Sequence, residues 1–102
     1  MSLIKLTSEN RSNIDTAPKL IAEFNAPWCM YCKRLSPVIT RLSEKLDTDI
    51  YSVDIDEFPD LAEKYKIDTI PSLLYFTDGV PGEVLVNPPS AQAIEQWIKN
   101  EE

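Results

Sequence analysis

The sequence predicts a small α/β domain in which helices flank a central mixed β-sheet, with the element order β-α-β-α-β-α-β-β-α. Runs of apolar and β-branched residues alternate with segments whose apolar residues recur at helical spacing. An Asp78-Gly79 pair then separates two strand-like runs, which indicates an antiparallel hairpin. The chain has 102 residues, 43% of them hydrophobic, so we expect a single domain over residues 1–102.

The first elements are predicted to be a short strand, a weak helix and a buried strand. Leu3 to Leu6 is the candidate first strand. Residues 7–14 are rich in Ser, Asn and Asp, which suit caps and turns, so we expect a short helix that ends before Pro18. Lys19 to Asn25 is apolar on both alternating faces except at Glu23, which predicts a strand covered on both sides.

The middle of the chain is predicted to hold a long helix, a third strand and a short helix. From Cys29 to Leu46 the apolar residues recur at steps of three and four, which predicts one face packed on the core. Pro37 lies inside this helix and is expected to kink it. Asp49 to Ile55 alternates as a strand does, and the short helix follows from Phe58 to about Tyr65.

A hairpin and a last helix complete the predicted fold. Ser72 to Thr77 and Val84 to Val86 are its strands, so Pro81-Gly82 is expected in the loop between them. Ser90 is expected to cap the last helix, and the acidic end at residues 100–102 is expected to fray.

Both cysteines of the chain lie where the buried strand gives way to the long helix. Cys29 would stand at the helix N-terminus, where unpaired N–H groups and the helix dipole stabilise a thiolate, and Lys33 adds a nearby cation. The two-residue gap lets Cys32 close a disulfide with Cys29 on one helical turn. We therefore predict a redox pair in which Cys29 is the solvent-accessible nucleophile and Cys32 is set back.

Residue types alone leave two other interpretations of the cysteines open. They could be inert buried thiols, or half of a metal site. Structural zinc takes four Cys or His ligands, whereas this chain has two Cys and no His, so only a site shared between molecules could work. An iron–sulfur cluster meets the same shortage. We expect no metal and no cofactor.

Charge and hydropathy limit the partners that we expect. The net charge of −7 and the sequence pI near 4.5 argue against nucleic acid and anionic membranes, which require clustered Lys and Arg. The first ten residues lack the apolar run of a signal peptide, and no stretch approaches the length of a membrane span. We expect a cytoplasmic protein.

The sequence resembles the thioredoxin family nearly end to end. The resemblance rests on the run from Phe24 to Lys33, on Pro37, and on Thr69-Ile70-Pro71-Ser72 before a strand. It implies the thioredoxin fold and a dithiol–disulfide oxidoreductase in which Cys29 attacks the substrate disulfide and Cys32 resolves the mixed disulfide. It also implies a cis Pro71 against the cysteine pair, with the Ile70 backbone offered to the substrate chain.

The same resemblance assigns roles to Glu23 and Trp28. The family places a buried acid in the central strand, and Glu23 stands at that position. Burial would raise its pKa and suit it to exchanging a proton with Cys32, unless its carboxylate escapes to a sheet edge. Trp28 is expected to line the docking surface rather than to serve as core. Asp54 and Asp56 are expected to be solvated surface.

Three departures from the family pattern concern tuning and substrate choice. Met30-Tyr31 replaces the common Gly-Pro between the cysteines, and Tyr31 resembles the Pro-Tyr of glutaredoxins. With Lys33, this dipeptide is expected to tune the reduction potential. Ser52 stands where the family often has a Lys beside the buried acid, and Val86-Asn87-Pro88-Pro89 replaces a Gly-containing loop at the end of the substrate groove.

The predicted function is the reduction of protein disulfides through the Cys29/Cys32 dithiol. The expected partners are disulfide-bearing protein substrates and an electron-donor reductase such as thioredoxin reductase. A glutathione-dependent, glutaredoxin-like enzyme is the nearest alternative, and a non-catalytic binding module of the same fold is the other.

Overall fold

The computed structural model describes every residue from Met1 to Glu102 and confirms the predicted element order. Five strands and four helices follow one another as β1-α1-β2-α2-β3-α3-β4-β5-α4. Their bounds are β1 Leu3–Lys5, α1 Asn13–Thr16, β2 Lys19–Asn25, α2 Met30–Lys45, β3 Ile50–Asp54, α3 Pro59–Lys64, β4 Ser72–Thr77, β5 Val80–Val86 and α4 Ala91–Glu101. None of the helices is both long and apolar enough to cross a membrane.

The strands form one mixed sheet in the order β1-β3-β2-β4-β5. β3 pairs in parallel with both β1 and β2, whereas β4 pairs antiparallel with β2 and β5. β2 occupies the centre because its residues are buried on both faces, from Leu20 through Phe24. The start of α2 therefore follows directly from the end of the central strand.

Side chains from alternate positions of β2 enter two separate apolar cores. Leu20, Ala22 and Phe24 pack on the face that also receives side chains of α1 and α3. Ile21 packs on the opposite face, which α2 and α4 cover. Since side chains alternate along a strand, Glu23 shares the face of Ile21 and is directed towards α2.

Helix α1 is shorter and begins later than the sequence predicted. It spans Asn13–Thr16 instead of residues 7–14. The side chains of Thr7 and Asn10 close a turn first: the Thr7 N–H donates to Asn10 Oδ1 at 2.7 Å, and the Asn10 N–H donates to Thr7 Oγ1 at 3.3 Å. This reciprocal pair resembles a capping box. The N–H groups of Asn13 and Ile14 then bond to carbonyl groups three residues back, which is the tighter spacing of turns, so regular α-helix begins only at Asn13.

The hairpin loop is also tighter than predicted. β5 begins at Val80, so Asp78 and Gly79 alone form the turn, and the placement of Pro81-Gly82 in the loop was wrong. β5 is the edge strand of the sheet, where the missing N–H of Pro81 can face outwards without loss of a ladder bond. The pairing register between β4 and β5 is irregular between Leu74 and Phe76, close to the residue paired with Pro81.

The C-terminal end is held in place, contrary to the expectation of fraying. Ser90 caps α4 as predicted, its Oγ accepting from the Ala93 N–H at 3.2 Å. The helix then continues to Glu101. Beyond it, Glu102 Oε2 accepts a hydrogen bond from the Tyr75 hydroxyl at 3.0 Å, which ties the terminus to β4.

Candidate active site

Cys29 is the N-cap residue of α2. Its backbone is extended, with φ −86° and ψ 111°, and its Sγ accepts a hydrogen bond from the Cys32 N–H at 3.2 Å. A sulfur in this position does what the oxygen of a Ser or Asp N-cap does, since it satisfies an N–H that the first helical turn leaves free. The predicted placement of Cys29 at the helix N-terminus is confirmed.

Both cysteines are free thiols and both are buried. Each residue is 6% exposed, so the expectation that Cys29 alone is accessible was wrong. The reason is local packing: the pair forms a small cluster with Ala26, against which Ile55 and Ile70 pack. A substrate must therefore approach Cys29 past the apolar side chains of this cluster.

The two thiols nevertheless differ in their electrostatic environment. Burial, and after it the hydrogen bond with Cys29, raises the pKa of Cys32 from 9.0 to about 12. Charge on Cys29 or Glu23 acts in the same direction. Near neutral pH, Cys32 therefore keeps its proton and needs a base before it can act as a nucleophile.

Glu23 and Cys32 both line a cavity of about 250 Å³. The Glu23 side chain is directed to this face by the alternation of β2, and the residue is only 6% exposed. Burial raises the pKa of Glu23, and a hydrogen bond from Asn25 partly opposes this rise. Ser52 on β3 is the residue paired with Glu23 on β2. Lys33, on α2, lines the same cavity.

Sequence reasoning missed Asn25 as a member of this site. Its Nδ2 donates to Glu23 Oε1 at 2.8 Å and lies 2.8 Å from Ser52 Oγ. Because residues two apart on a strand share a face, the spacing of Glu23 and Asn25 on β2 was a usable signal. The role of Ser52 required the pairing register between β2 and β3, which the sequence does not state.

Large exposed side chains surround the buried cysteine pair. Trp28 is 64% exposed, and Met30 and Tyr31 are exposed to a similar degree. The Trp28 Nε1–H donates to Asp56 Oδ2 at 3.0 Å, so Trp28 belongs to the surface and not to the core. Asp56 is exposed as expected, but its hydrogen bond to Trp28 was not foreseen.

Ile70 and Pro71 belong to the surroundings of the cysteine pair as well. The peptide bond between Ile70 and Pro71 is cis, as the resemblance implied. Ile70 packs against the cysteine cluster, and Pro71 lines a groove of about 310 Å³ together with Tyr31 and Arg34. Residues 87–90 also line this groove.

Comparisons with known proteins agree with this geometry. The Thioredoxin family model matches residues 2–100. Thioredoxin from Staphylococcus epidermidis is 39% identical over 89 residues, which cover 84% of this chain and 85% of the relative. Thioredoxin from Bacillus subtilis is 31% identical over 100 residues and 96% of each chain.

Structural similarity covers almost the whole chain as well. The crystal structure of Schistosoma mansoni thioredoxin superposes with a TM-score of 0.87 at 29% identity, over 97% of this chain and 94% of that one. The sheet order, the capped cysteine pair and these similarities have one explanation. The chain belongs to the thioredoxin family, and it is a thiol–disulfide oxidoreductase with the motif Cys29-x-x-Cys32.

Proposed function

We propose that the protein reduces disulfide bonds of other proteins in the cytoplasm, with Cys29 as nucleophile and Cys32 as resolving thiol. The observation that carries this assignment is the hydrogen bond from the Cys32 N–H to Cys29 Sγ, together with the pKa of about 12 for Cys32. One sulfur sits at a helix terminus that accommodates negative charge, while the other stays protonated. This asymmetry separates attack from resolution.

In the first step, the Cys29 thiolate attacks one sulfur of the substrate disulfide. The substrate S–S bond breaks, a mixed disulfide forms between Cys29 and that sulfur, and the second substrate sulfur leaves as a thiolate that takes a proton from water. Ile70 packs against the cysteine cluster, and Pro71 and Trp28 are the chain neighbours of Ile70 and Cys29. These three residues are proposed to bind the substrate chain, and the groove beside Tyr31 is proposed to receive its continuation.

In the second step, Cys32 must lose the proton that its environment holds. Glu23 is the proposed acceptor because its carboxylate shares a cavity with Cys32 and its raised pKa suits it to take up a proton. The Cys32 thiolate then attacks Cys29 Sγ, the substrate sulfur leaves, and a Cys29–Cys32 disulfide remains. Two electrons have passed from the protein to the substrate.

The oxidised protein requires an electron donor for the next cycle. Thioredoxins use disulfide-bearing proteins as substrates and a reductase as donor, and we propose the same two classes of partner here, with a thioredoxin reductase as donor. Met30, Tyr31 and Lys33 flank the two thiols and are proposed to set the reduction potential.

An insulin reduction assay with cysteine variants tests the proposal. The wild-type protein should reduce insulin with a thioredoxin reductase and NADPH and remain slow with glutathione. C29S should neither reduce insulin nor form a mixed disulfide, whereas C32S should accumulate one that mass spectrometry detects. Trapping through Cys32 in C29S would reverse the roles, and activity with glutathione alone would favour the glutaredoxin-like alternative.

A further inference from the structure

We propose that Asn25 is a positioning residue for the reaction: it holds the Glu23 carboxyl in the orientation in which that group takes the proton of Cys32. This inference rests on the proposed role of Glu23 as the proton acceptor. Asn25 would be the residue that orients the buried Glu23 carboxyl for proton transfer from Cys32.

The geometry around the carboxyl supports this role. Asn25 Nδ2 lies 2.8 Å from Glu23 Oε1 and 3.3 Å from the Glu23 backbone oxygen. The same nitrogen lies 2.8 Å from Ser52 Oγ on β3. The amide is therefore fixed between two strands, and the bond to Oε1 is the hydrogen bond that the Glu23 side chain makes within the protein.

This hydrogen bond makes the two carboxyl oxygens unequal. Oε1 accepts from an N–H, which disfavours a proton on that oxygen in the neutral acid, since an O–H at Oε1 would oppose the amide hydrogen. The incoming proton is thereby directed to Oε2. A buried carboxyl that could rotate freely would have no such preference and would offer the proton site in many orientations.

Asn25 is also the polar group that offsets the cost of charge on Glu23. The ionisable groups facing Glu23 are Cys32 and Lys33, both from α2. The neighbouring strands supply none, because Ser52 and Leu73 are its partners on β3 and β4. Lys33 lines the cavity without forming an ion pair with Glu23, so the neutral amide supplies the stabilisation.

The first test uses the protein without substitution. In the reduced protein, an NMR pH titration follows the Glu23 carboxyl carbon and the Asn25 side-chain amide protons together. We expect both signals to move with one midpoint, because the amide donates to the titrating group. Asn25 amide signals that stay constant through the Glu23 midpoint would overturn the inference, whatever the activity of the protein.

The second test measures release of the mixed disulfide against pH in Asn25→Leu and Asn25→Ser. We expect the Asn25→Leu profile to move to higher pH, with slower release than wild type on the acid side of the profile, because the hydrogen bond from Asn25 lowers the Glu23 pKa and its loss raises that pKa further. The rates should converge with wild type at high pH. Asn25→Ser retains a donor and should lie between the two, which keeps the test valid if the Leu variant does not fold.

Two controls separate this inference from the role of Glu23 itself. Ser52→Ala removes the second partner that fixes the amide but keeps the bond to Glu23, so its profile should move in the same direction as that of Asn25→Leu and by less. Glu23→Gln should remove the pH dependence that Asn25 modulates. If Glu23→Gln releases substrate as fast as wild type, the proposed proton acceptor fails; if only Asn25→Leu and Asn25→Ser match wild type, the positioning role fails.

Discussion

The backbone N–H of Cys32 donates a hydrogen bond to the Sγ atom of Cys29 at 3.2 Å. Both cysteines are buried to the same degree. Solvent accessibility therefore does not distinguish the two thiols. The difference between them lies in how readily each loses its proton. Burial and the hydrogen bond with Cys29 raise the pKa of Cys32 from 9.0 to about 12. This rise reduces the thiolate fraction of Cys32 at neutral pH by about a thousandfold relative to an ordinary thiol.

Alkylation of the reduced protein at pH 7 should label Cys29 first. Iodoacetamide reacts with thiolates, so Cys32 should remain unmodified while Cys29 is consumed. Peptide mapping by mass spectrometry at short times gives the order. In denaturant, where burial and the hydrogen bond are lost, the two cysteines should react at similar rates. Labelling of Cys32 first in the folded protein would contradict the assignment of roles.

The reduction potential should be somewhat less negative than the reference value for thioredoxin of about −270 mV. The helix terminus and the Cys32 N–H stabilise a thiolate, and hence the reduced form. Buried Glu23 without a cationic partner opposes added negative charge and limits the change. Equilibration with glutathione buffers measures the potential. A value near −120 mV would instead make the protein a disulfide donor.

Exchanging Met30-Tyr31 for Gly-Pro provides a matched comparison for this measurement. Both side chains are exposed, so their replacement should leave the core intact. We expect the variant to have the more negative potential of the two proteins. Equal potentials would show that the dipeptide does not tune the pair.

Asp56→Ala should weaken the reduction of protein disulfides and leave that of a small aromatic disulfide unchanged. Asp56 accepts the hydrogen bond of the Trp28 indole, which is 64% exposed and free to move without that bond. We expect KM for insulin to rise about 2- to 10-fold, the equivalent of one hydrogen bond of about 0.5–1.5 kcal/mol. Glu95→Ala removes an equal charge from the exposed face of α4 and should have no effect.

The patterns of apolar residues in the sequence predict β2 and α2 well. Burial dictates both, because β2 must be apolar on two faces and α2 on one, and their predicted bounds agree with the structure within a residue or so. Before α1, the backbone instead bonds at a spacing of three residues, from Asn13 to Asn10 and from Ile14 to Arg11, and the pattern of apolar residues does not predict this spacing. α1 was misplaced for that reason.

The parts of the fold and of the site that the sequence analysis did not predict depend on pairing between distant segments. Pro81 fits in a strand because β5 lies at the sheet edge, and edge position follows from topology alone. The contact of Asn25 with Ser52 likewise depends on the β2–β3 register. By contrast, the cysteines, Glu23 and Ile70-Pro71 were located by motif, since their spacing is local.

Gly79→Ala should destabilise the fold more than Gly82→Ala. Gly79 has φ +80°, and a Cβ there would approach the Asp15 backbone oxygen to 2.5 Å. The left-handed conformation alone costs a non-glycine residue about 1–2 kcal/mol, and the backbone collision adds to this. At Gly82 a Cβ would meet only the end of the Glu101 side chain, which can move away. Urea unfolding should show the larger loss for Gly79→Ala; equal losses would contradict this account.

Glu23→Gln should stabilise the protein at neutral pH but not in acid. Burial raises the pKa of Glu23 above its ordinary value of 4.5, so the folded protein holds this proton more tightly than the unfolded chain does. As the pH rises from 4.5 through the folded-state pKa, the unfolded chain releases the proton first, and the free energy of unfolding of the wild-type protein falls.

Glutamine cannot ionise, so the variant escapes this loss. The difference in free energy of unfolding should be small below pH 4.5, grow as the pH rises, and become constant above the pKa that Glu23 has in the folded protein. Urea unfolding of both proteins across this pH range measures it, with exposed Glu95→Gln as the control that should remain near zero throughout. A stabilisation by Glu23→Gln that is the same at every pH would arise from packing and not from the charge, and the Glu23 pKa would then lie near its ordinary value.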